Sequence, residues 1–304
     1  KVNVKSGYIN TIVGTGTQGY SGDDIPAVGA KLAEPRHVYY DKSTGDLFIV
    51  DSGNSRIRRV FGSSGTITTV VGGKDCSLTV NYGDGGKATD ACLFRPSDFA
   101  MNAIGEWFIA DTWNDRIRKV DSKGIITTVA GGGESIDDGQ ATMVLVDKPE
   151  GVAVLLSGEL LIADLSHSRI RRVDRNGYME VIAGGGDTIS SSAIPALTTS
   201  VSPTHILYTP GFGILVGDNV GKILKLYKES ECFGVSNHLD TVCSGHGDCV
   251  DLDQCQCKDE WFNNDCSVTH CFGVMSNITD VVCSGRGTCI NHNECQCEDG
   301  WLTD

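Results

Sequence analysis

The sequence has no run of 18 or more apolar residues, and it is short of basic residues throughout. The missing run excludes a membrane-spanning helix within this stretch. Residues 1–231 carry 23 Lys/Arg against 27 Asp/Glu, and residues 232–304 carry 2 against 12, within a net charge of −14. Neither part offers the basic surface that neutralises phosphates, so we expect no nucleic acid partner.

Signatures of catalysis are missing as well. The sequence has no nucleophile-elbow, phosphate-loop or His-Glu-x-x-His pattern. We therefore expect a protein that is not an enzyme. The chain opens with Lys1 and shows no apolar leader, which predicts a processed product or an excised fragment.

Cysteine is scarce in the first part of the chain and abundant in the second. Residues 1–231 contain two, Cys76 and Cys92, and residues 232–304 contain the other eleven of the 13. Dense half-cystines replace a core in a segment too small to build one, and they persist only in an oxidising compartment. This shift places a domain boundary between Lys228 and Cys232 and predicts an extracellular, secreted or cell-surface protein. Cys76 and Cys92 lie in one loop, where a disulfide is expected and a free or intermolecular thiol is the alternative.

What the first part does contain is a repeat. The segment at residues 45–60 returns at 105–120, at 158–173 and more loosely at 213–226. Each unit opens at a proline and holds short runs rich in β-branched residues, joined by Gly-containing turns. Four short antiparallel strands in a unit of about 55 residues are typical of a β-propeller blade.

We therefore predict an all-β fold in which residues 1–228 form a β-propeller of about four blades. The blades are expected near residues 35–71, 96–130, 149–183 and 203–226, with residues 8–13 as an outer strand. That strand would close the ring by pairing with the last unit. The alternative is that these blades are part of a larger ring.

The unit contains Ala-Asp-x-x-Asn-x-Arg-Ile-Arg-Lys-Val followed by Thr-Thr-Val-Ala-Gly. This motif resembles the NHL repeat, in the variant found in extracellular proteins such as the teneurins. The fourth copy departs from it because a lysine replaces the first arginine. A carboxylate and a guanidinium that flank a tight turn can pair, or alternatively form a ring of charged ligands. The expected structural pairs are Asp51 with Arg56, Asp111 with Arg116, Asp164 with Arg169, and Asp218 with Lys222.

Long Gly-rich segments cross from each unit to the next, and recognition residues usually lie on such loops. Tyr20, Tyr82 and Trp113 are the expected aromatic anchors for a partner. The alternative for each is simple packing under a loop. Residues 19–24 and 82–86 also suggest calcium, although glycine with aspartate is common turn chemistry.

Three residues share one position, two residues after the opening proline: His37, Asp98 and His205. The first strand of a blade lines the central channel, so these side chains could hold zinc there. Peptide-amidating lyases on NHL-like propellers are similar in using channel-facing histidines. The alternative function is therefore a metal-dependent lyase or hydrolase, and the competing interpretation is side chains that meet water at the channel mouth.

The cysteine spacing of the tail resembles EGF-like modules of the tenascin and teneurin type, at residues 229–267 and, truncated, at 268–304. The pattern that accompanies calcium in such modules is missing, so no cofactor is expected. Cys297 has no partner in this sequence, because its counterpart would lie beyond Asp304. The resemblance implies the disulfides Cys232–Cys249, Cys243–Cys255, Cys257–Cys266, Cys271–Cys289 and Cys283–Cys295.

Asn277 opens the one N-glycosylation sequon, which suits a surface loop of a secreted module. The sequence as a whole thus predicts a non-catalytic extracellular or cell-surface glycoprotein. Its propeller would bind another protein or a glycan from an EGF-like stalk, in an adhesion or receptor-like role.

Overall fold

The structure is a computed structural model of all 304 residues, which divides into two compact units at Leu226 and Tyr227. It describes residues 8–226 of the first unit, except 76–79, 187–195 and 210–212. In the second unit it describes short strands between residues 231 and 297. No helix in these described parts is long and apolar enough to cross a membrane.

The first unit contains four antiparallel sheets in chain order, which form the blades of a β-propeller. Each blade is a meander in which consecutive strands pair, as the alternation of apolar residues and Gly turns predicts. The strands of blade 1 are β2 (Pro35–Tyr40), β3 (Leu47–Asp51), β4 (Arg56–Val60) and β5 (Thr66–Gly72), with β1 (Ile25–Pro26) added beside β5. Those of blade 2 are β6 (Asp98–Met101), β7 (Trp107–Asp111), β8 (Arg116–Val120) and β9 (Ile126–Gly131).

Blade 3 repeats the plan of blade 1, and the described part of blade 4 holds three strands. The strands of blade 3 are β11 (Pro149–Val154), β12 (Leu160–Asp164), β13 (Arg169–Val173) and β14 (Tyr178–Gly184), with β10 (Gly139–Gln140) beside β14. Those of blade 4 are β15 (Pro203–Thr209), β16 (Gly213–Asp218) and β17 (Lys222–Leu226). The sequence prediction of an all-β propeller with about four blades is confirmed.

Short 3-10 helices shape the connections. Two follow the second strand of a blade, Ser52–Asn54 and Thr112–Asn114, and each ends in a left-handed residue, Ser55 or Asp115. The others lie in the segments between blades, at Ala27–Gly29, Val80–Gly83, Ala88–Asp90, Ala141–Met143 and Ala196–Thr198.

The core consists of layers between successive blades. Blade 1 packs on blade 2 through a stacked pair of rings, Phe48 and Phe99, whose centroids lie 5.1 Å apart. Further apolar clusters join blade 2 to blade 3 and blade 3 to blade 4. Each layer buries apolar side chains from two sheets, so a blade depends on its neighbours for stability.

In the described part of the chain no further sheet covers the outer faces of the first and last blades, although the first crossing segment buries Ile49 and Ile67 on that face of blade 1. Ile57, Ile117 and Ile170 occupy one position in blades 1 to 3 and are at most 1% exposed, whereas Ile223 at the same position of blade 4 is 77% exposed. On the opposite face of blade 1, Val38 is 61% exposed. The isoleucine position in the third strand is therefore buried only where a following blade packs against it.

The outer strand predicted at residues 8–13 is not formed. Only Ile9 makes a single bridge, and Tyr8 and Ile9 are both largely exposed. The chain instead turns at Gly14, whose N–H donates to the carbonyl of Ala27, and follows the crossing segment. Val13 packs there against the face of blade 1.

The second unit contains two hairpins with the same register, as its two sequence copies predict. Gly247–Asp251 pairs with Gln254–Cys257, and Gly287–Asn291 pairs with Glu294–Cys297. The remaining short strands are Glu231–Cys232, Val235–Ser236, Trp261–Phe262, Val268–Cys271 and Val274–Met275.

Candidate interaction site

One face of the propeller, which we call the crossing face, is formed by two kinds of connection. It comprises the segments that cross between blades and the turns that join the second strand of each blade to the third. Backbone hydrogen bonds tie the two together: Gly53 N donates to Ala33 O at 2.9 Å, Trp113 N to Phe94 O at 3.1 Å and Ser166 N to Asp147 O at 3.2 Å. The crossing face is therefore fixed to the blades at equivalent points.

A buried aspartate reinforces each tie. Asp51, Asp111 and Asp164 end the second strand of their blades and are not exposed. Each carboxylate accepts a hydrogen bond from a backbone N–H of the crossing segment, at 2.7, 2.8 and 3.0 Å respectively. These residues are structural, because they satisfy loop N–H groups that would otherwise be buried without a partner.

The arginine that neutralises each aspartate is not the one that the sequence predicted. Asp51 lies 3.7 Å from Arg58, Asp111 lies 3.2 Å from Arg118, and Asp164 lies 2.7 Å from Arg171. All six side chains are fully buried. The expected partners Arg56, Arg116 and Arg169 stand directly opposite the aspartates in the strand register. Their side chains are half-buried, and none of these described residues forms an ion pair with its aspartate.

The Gly-Asp segments that suggested calcium serve these arginines. Asp23 accepts from Arg58 at 3.0 Å and from the backbone N–H of Thr69 at 2.8 Å. Asp84 accepts from Arg118 at 2.6 Å. The carboxylates therefore act as loop anchors for buried guanidinium groups.

Tyr20 and Tyr82, two of the predicted anchors, stack on the arginines that open the third strands of their blades. The Arg56 Cζ atom lies 4.0 Å from the centroid of the Tyr20 ring, and the Arg116 Cζ atom lies 4.4 Å from that of Tyr82. Each tyrosine thus has one face occupied by a cation of its own blade. This geometry supports the alternative of packing within the loop.

Trp113, the third predicted anchor, is different because it is 52% exposed and pairs with another exposed ring. Its centroid lies 5.5 Å from that of Phe94, which is 43% exposed, with the planes at 67°. The corresponding pairs are Ala33 with Gly53 in blade 1 and Asp147 with Ser166 in blade 3. Sequence reasoning missed Phe94, although a comparison of the repeats shows an aromatic residue where its counterparts are small or acidic.

Arg95 completes this group, which we call the aromatic patch and define as Phe94, Arg95 and Trp113. The Arg95 Cζ atom lies 5.7 Å from the Trp113 centroid, and its guanidinium pairs with Glu34 of the preceding crossing segment. Its backbone N–H donates to Ser55 at 3.4 Å. The patch is thereby held by contacts from two blades.

The three residues predicted to bind zinc do not assemble into a site. The Nδ1 atom of His37 lies 2.8 Å from Asp98, whose other carboxylate oxygen accepts the N–H of Val152 at 2.9 Å. His205 is exposed, and nowhere in the described part of the chain do three His, Cys, Asp or Glu side chains group as metal ligands would. The pair instead links the first strands of blades 1, 2 and 3, and the prediction of convergence is wrong.

Among the described residues, Cys92 in the second crossing segment and Cys257 in the tail are disulfide-bonded. Cys92 is fully buried. Cys76 and Cys266, the partners predicted for them, lie outside the described residues, so these pairings stay predictions. The same holds for the other tail disulfides, for the unpaired state of Cys297 and for glycosylation of Asn277.

With this geometry in place, the comparisons with known proteins agree with the sequence patterns. The teneurin NHL domain family matches residues 73–137, and the EGF-like domain family matches residues 236–266 and 275–303. The first match covers the second crossing segment and blade 2, which contain the aromatic patch.

Two curated relatives and one solved structure illustrate the range of similarity. Protein SUPPRESSOR OF QUENCHING 1, chloroplastic, from Arabidopsis thaliana is 27% identical over 151 residues, which cover 48% of this chain and 14% of that protein. Teneurin-3 from Danio rerio is 38% identical over 109 residues, which cover 32% of this chain and 4% of that protein. The chain thus spans a small part of the length of these relatives.

Among solved structures, a protein of unknown function from Bacteroides thetaiotaomicron aligns with 21% identity and a TM-score of 0.47. The alignment covers 61% of this chain and 45% of that one.

Proposed function

We propose that this chain, which combines an NHL-type β-propeller with EGF-like domains, is a non-catalytic interaction part of an extracellular or cell-surface protein of adhesion or receptor-like type. Its crossing face binds a protein partner, and the aromatic patch is the centre of that contact. The single observation that carries this proposal is the exposed pair Phe94 and Trp113 on a rigid part of the crossing face.

An extracellular setting is supported by the tail rather than by the propeller. The EGF-like matches and the disulfide at Cys257 both suit an oxidising compartment. Similarity to known proteins does not by itself carry this argument, since one relative of the chain is described as chloroplastic. The buried disulfide at Cys92 adds support from the first unit.

The aromatic patch has the composition of an interface centre. Trp, Phe and Arg are enriched in the cores of protein interfaces, and truncation of such anchors typically weakens binding by 2 kcal/mol or more, that is, by about thirtyfold. The patch is also preorganised, because backbone bonds from Trp113 to Phe94 and from Arg95 to Ser55 fix its frame. Little conformational entropy is then lost on binding.

The test compares substitutions at the two ends of blade 2. The purified chain, displayed as a multimer, is applied to an array of extracellular protein ectodomains and to a glycan array. Trp113→Ala and Phe94→Ala should each weaken binding to the partner by about tenfold or more. Ile104→Ala is the matched control, because Ile104 is 75% exposed in the turn between β6 and β7 at the other end of blade 2.

Circular dichroism and thermal unfolding establish that all variants are folded. Equal loss of binding for Ile104→Ala, or full binding by both patch variants, would contradict the proposed site. Binding to the glycan array alone, lost with Trp113→Ala, would replace the protein partner by a glycan that stacks on the same rings.

A further inference from the structure

Blade 4 lacks the buried arginine that blades 1 to 3 share. Its aspartate, Asp218, ends β16 as Asp51, Asp111 and Asp164 end theirs, and it is 8% exposed. Leu224 stands two residues into β17, where those blades have Arg58, Arg118 and Arg171. Blade 4 therefore has the aspartate of the repeat, but a leucine replaces the arginine that pairs with it in the other blades.

The buried carboxylate of Asp218 has no charged partner in the described part of the chain. No Lys, Arg or His side chain described there lies within 4.0 Å of it, and the contact that the structure gives it is the backbone N–H of Val220 at 3.1 Å. Lys222 is exposed and occupies the position of Arg56. Burial of a charge without a counter-ion is unfavourable, so a ligand that supplies one should bind with a gain.

A cavity of about 260 Å³ lies beside this carboxylate. Its lining combines hydroxyl-bearing and apolar residues with one carboxylate and one lysine. The lining residues are Thr199, Ser200, Val201, Ser202, Asp218, Val220, Lys222 and Leu224. Thr199 lies four residues before the proline that opens blade 4. At the same position before blade 2, the carbonyl oxygen of Cys92 accepts a hydrogen bond from Arg118 at 3.3 Å.

We propose that this pocket binds a guanidinium group supplied from outside the propeller, as an arginine side chain of a polypeptide ligand. The other blades show what the position accepts, since each places a fully buried guanidinium against its aspartate and against carbonyls of the crossing segment. A planar, weakly hydrated guanidinium also suits a cavity lined partly by apolar side chains better than a strongly hydrated ammonium does. The pocket is separate from the aromatic patch, so this inference does not rest on the proposed function.

The test uses the full chain and a capped tripeptide, acetyl-Gly-Arg-Gly-amide, with the same peptide carrying citrulline as a neutral isostere. Isothermal titration calorimetry should detect saturable binding of the arginine peptide and at least about tenfold weaker binding of the citrulline peptide. Asp218→Asn should reduce binding of the arginine peptide to the level of the citrulline peptide. Agmatine is titrated in parallel, and tighter binding of agmatine would assign the guanidinium to a small molecule instead.

A second variant tests whether an arginine of the chain itself can occupy the pocket, as one does in the other blades. Leu224→Arg should fill the cavity from within, abolish peptide binding and raise the midpoint of thermal unfolding. Leu224→Met is the control that keeps an apolar side chain at this position and should keep binding. Equal affinity for the arginine and citrulline peptides in the unmodified chain would overturn the proposal whether or not any variant folds, and undiminished binding by folded Asp218→Asn would do the same.

Discussion

The carboxylate of Asp111 lies 3.2 Å from the guanidinium of Arg118, and neither side chain is exposed. Burial raises the pKa of Asp111 from 3.8 to about 6, because lost hydration outweighs the stabilisation by Arg118, Asn114 and the backbone N–H of Phe94. The folded chain therefore holds this proton more tightly than the unfolded chain does. Burial also raises the pKa of Asp51, although Asn54, Ala33 and Arg58 oppose the shift.

A pH dependence of stability follows from the pKa of Asp111. Between about pH 4 and pH 6 the folded state binds more protons at this site than the unfolded state, so the free energy of unfolding falls as pH rises, by up to about 3 kcal/mol. Above about pH 6 the contribution is constant. Asp111→Asn removes the dependence, so the stability difference between the unmodified chain and the variant should shrink from about pH 4 to pH 6.

Urea unfolding across this pH range measures that difference, and titration of all other groups cancels in it. A constant difference for Asp111→Asn from about pH 4 to pH 7 would show that Asp111 is ionised throughout.

Glycine at the end of the fourth strand is predicted to be irreplaceable. Gly131 has a φ of +81°, and a Cβ atom there would lie 2.3 Å from the carbonyl oxygen of Asp115. Gly124 has a φ of +76°, but a Cβ atom there would meet nothing within 4 Å. Gly131→Ala should therefore lower the free energy of unfolding by at least about 2 kcal/mol more than Gly124→Ala, since backbone strain is common to both. Denaturant unfolding of the two variants checks this, and equal losses would show that the turn relaxes around the new methyl group.

The fold could be predicted because the pattern that specifies it recurs. Alternating apolar residues between glycine turns appear four times, and each copy restricts how the others can bury their faces. The segment at residues 8–13 could not be predicted in the same way. Its apolar alternation suits a strand, but whether a strand forms depends on a neighbouring sheet edge, and Gly14 and Val13 instead bind the crossing segment.

The contacts of the site were harder to predict, because they depend on the direction of each side chain, which the sequence does not show. Arg56 and Arg58 both follow Asp51 in the sequence, and both lie on the same face of β4. Arg58 is buried 3.7 Å from the aspartate, whereas Arg56 donates to backbone carbonyls of the neighbouring turns. The Tyr20 ring lies near both guanidinium groups and so does not distinguish them. The sequence shows which residues are present but not the direction of each side chain, so the expected pairing of Asp51 with Arg56 is wrong.

Tyr20 should accordingly matter for stability rather than for binding. Its ring lies 4.0 Å from Arg56 and 4.9 Å from Arg58, measured from Cζ to the centroid. Tyr20→Phe keeps that ring and should change the free energy of unfolding by less than about 0.5 kcal/mol, whereas Tyr20→Leu should lower it by about 1 kcal/mol. Both variants should bind the partner of the aromatic patch normally. Loss of binding by folded Tyr20→Phe would return this tyrosine to the interface.

One substitution made at two equivalent positions tests how the blades depend on one another. Ile117 is fully buried because blade 3 covers it, and Ile223 is 77% exposed at the corresponding position of blade 4. Ile117→Ala should lower the free energy of unfolding by about 2–4 kcal/mol, through lost apolar burial and a cavity. Ile223→Ala should change it by less than about 0.5 kcal/mol, since nothing described in the structure covers that side chain. Urea unfolding of the full chain measures both, and a loss at Ile223 as large as that at Ile117 would show that another surface covers blade 4 in solution.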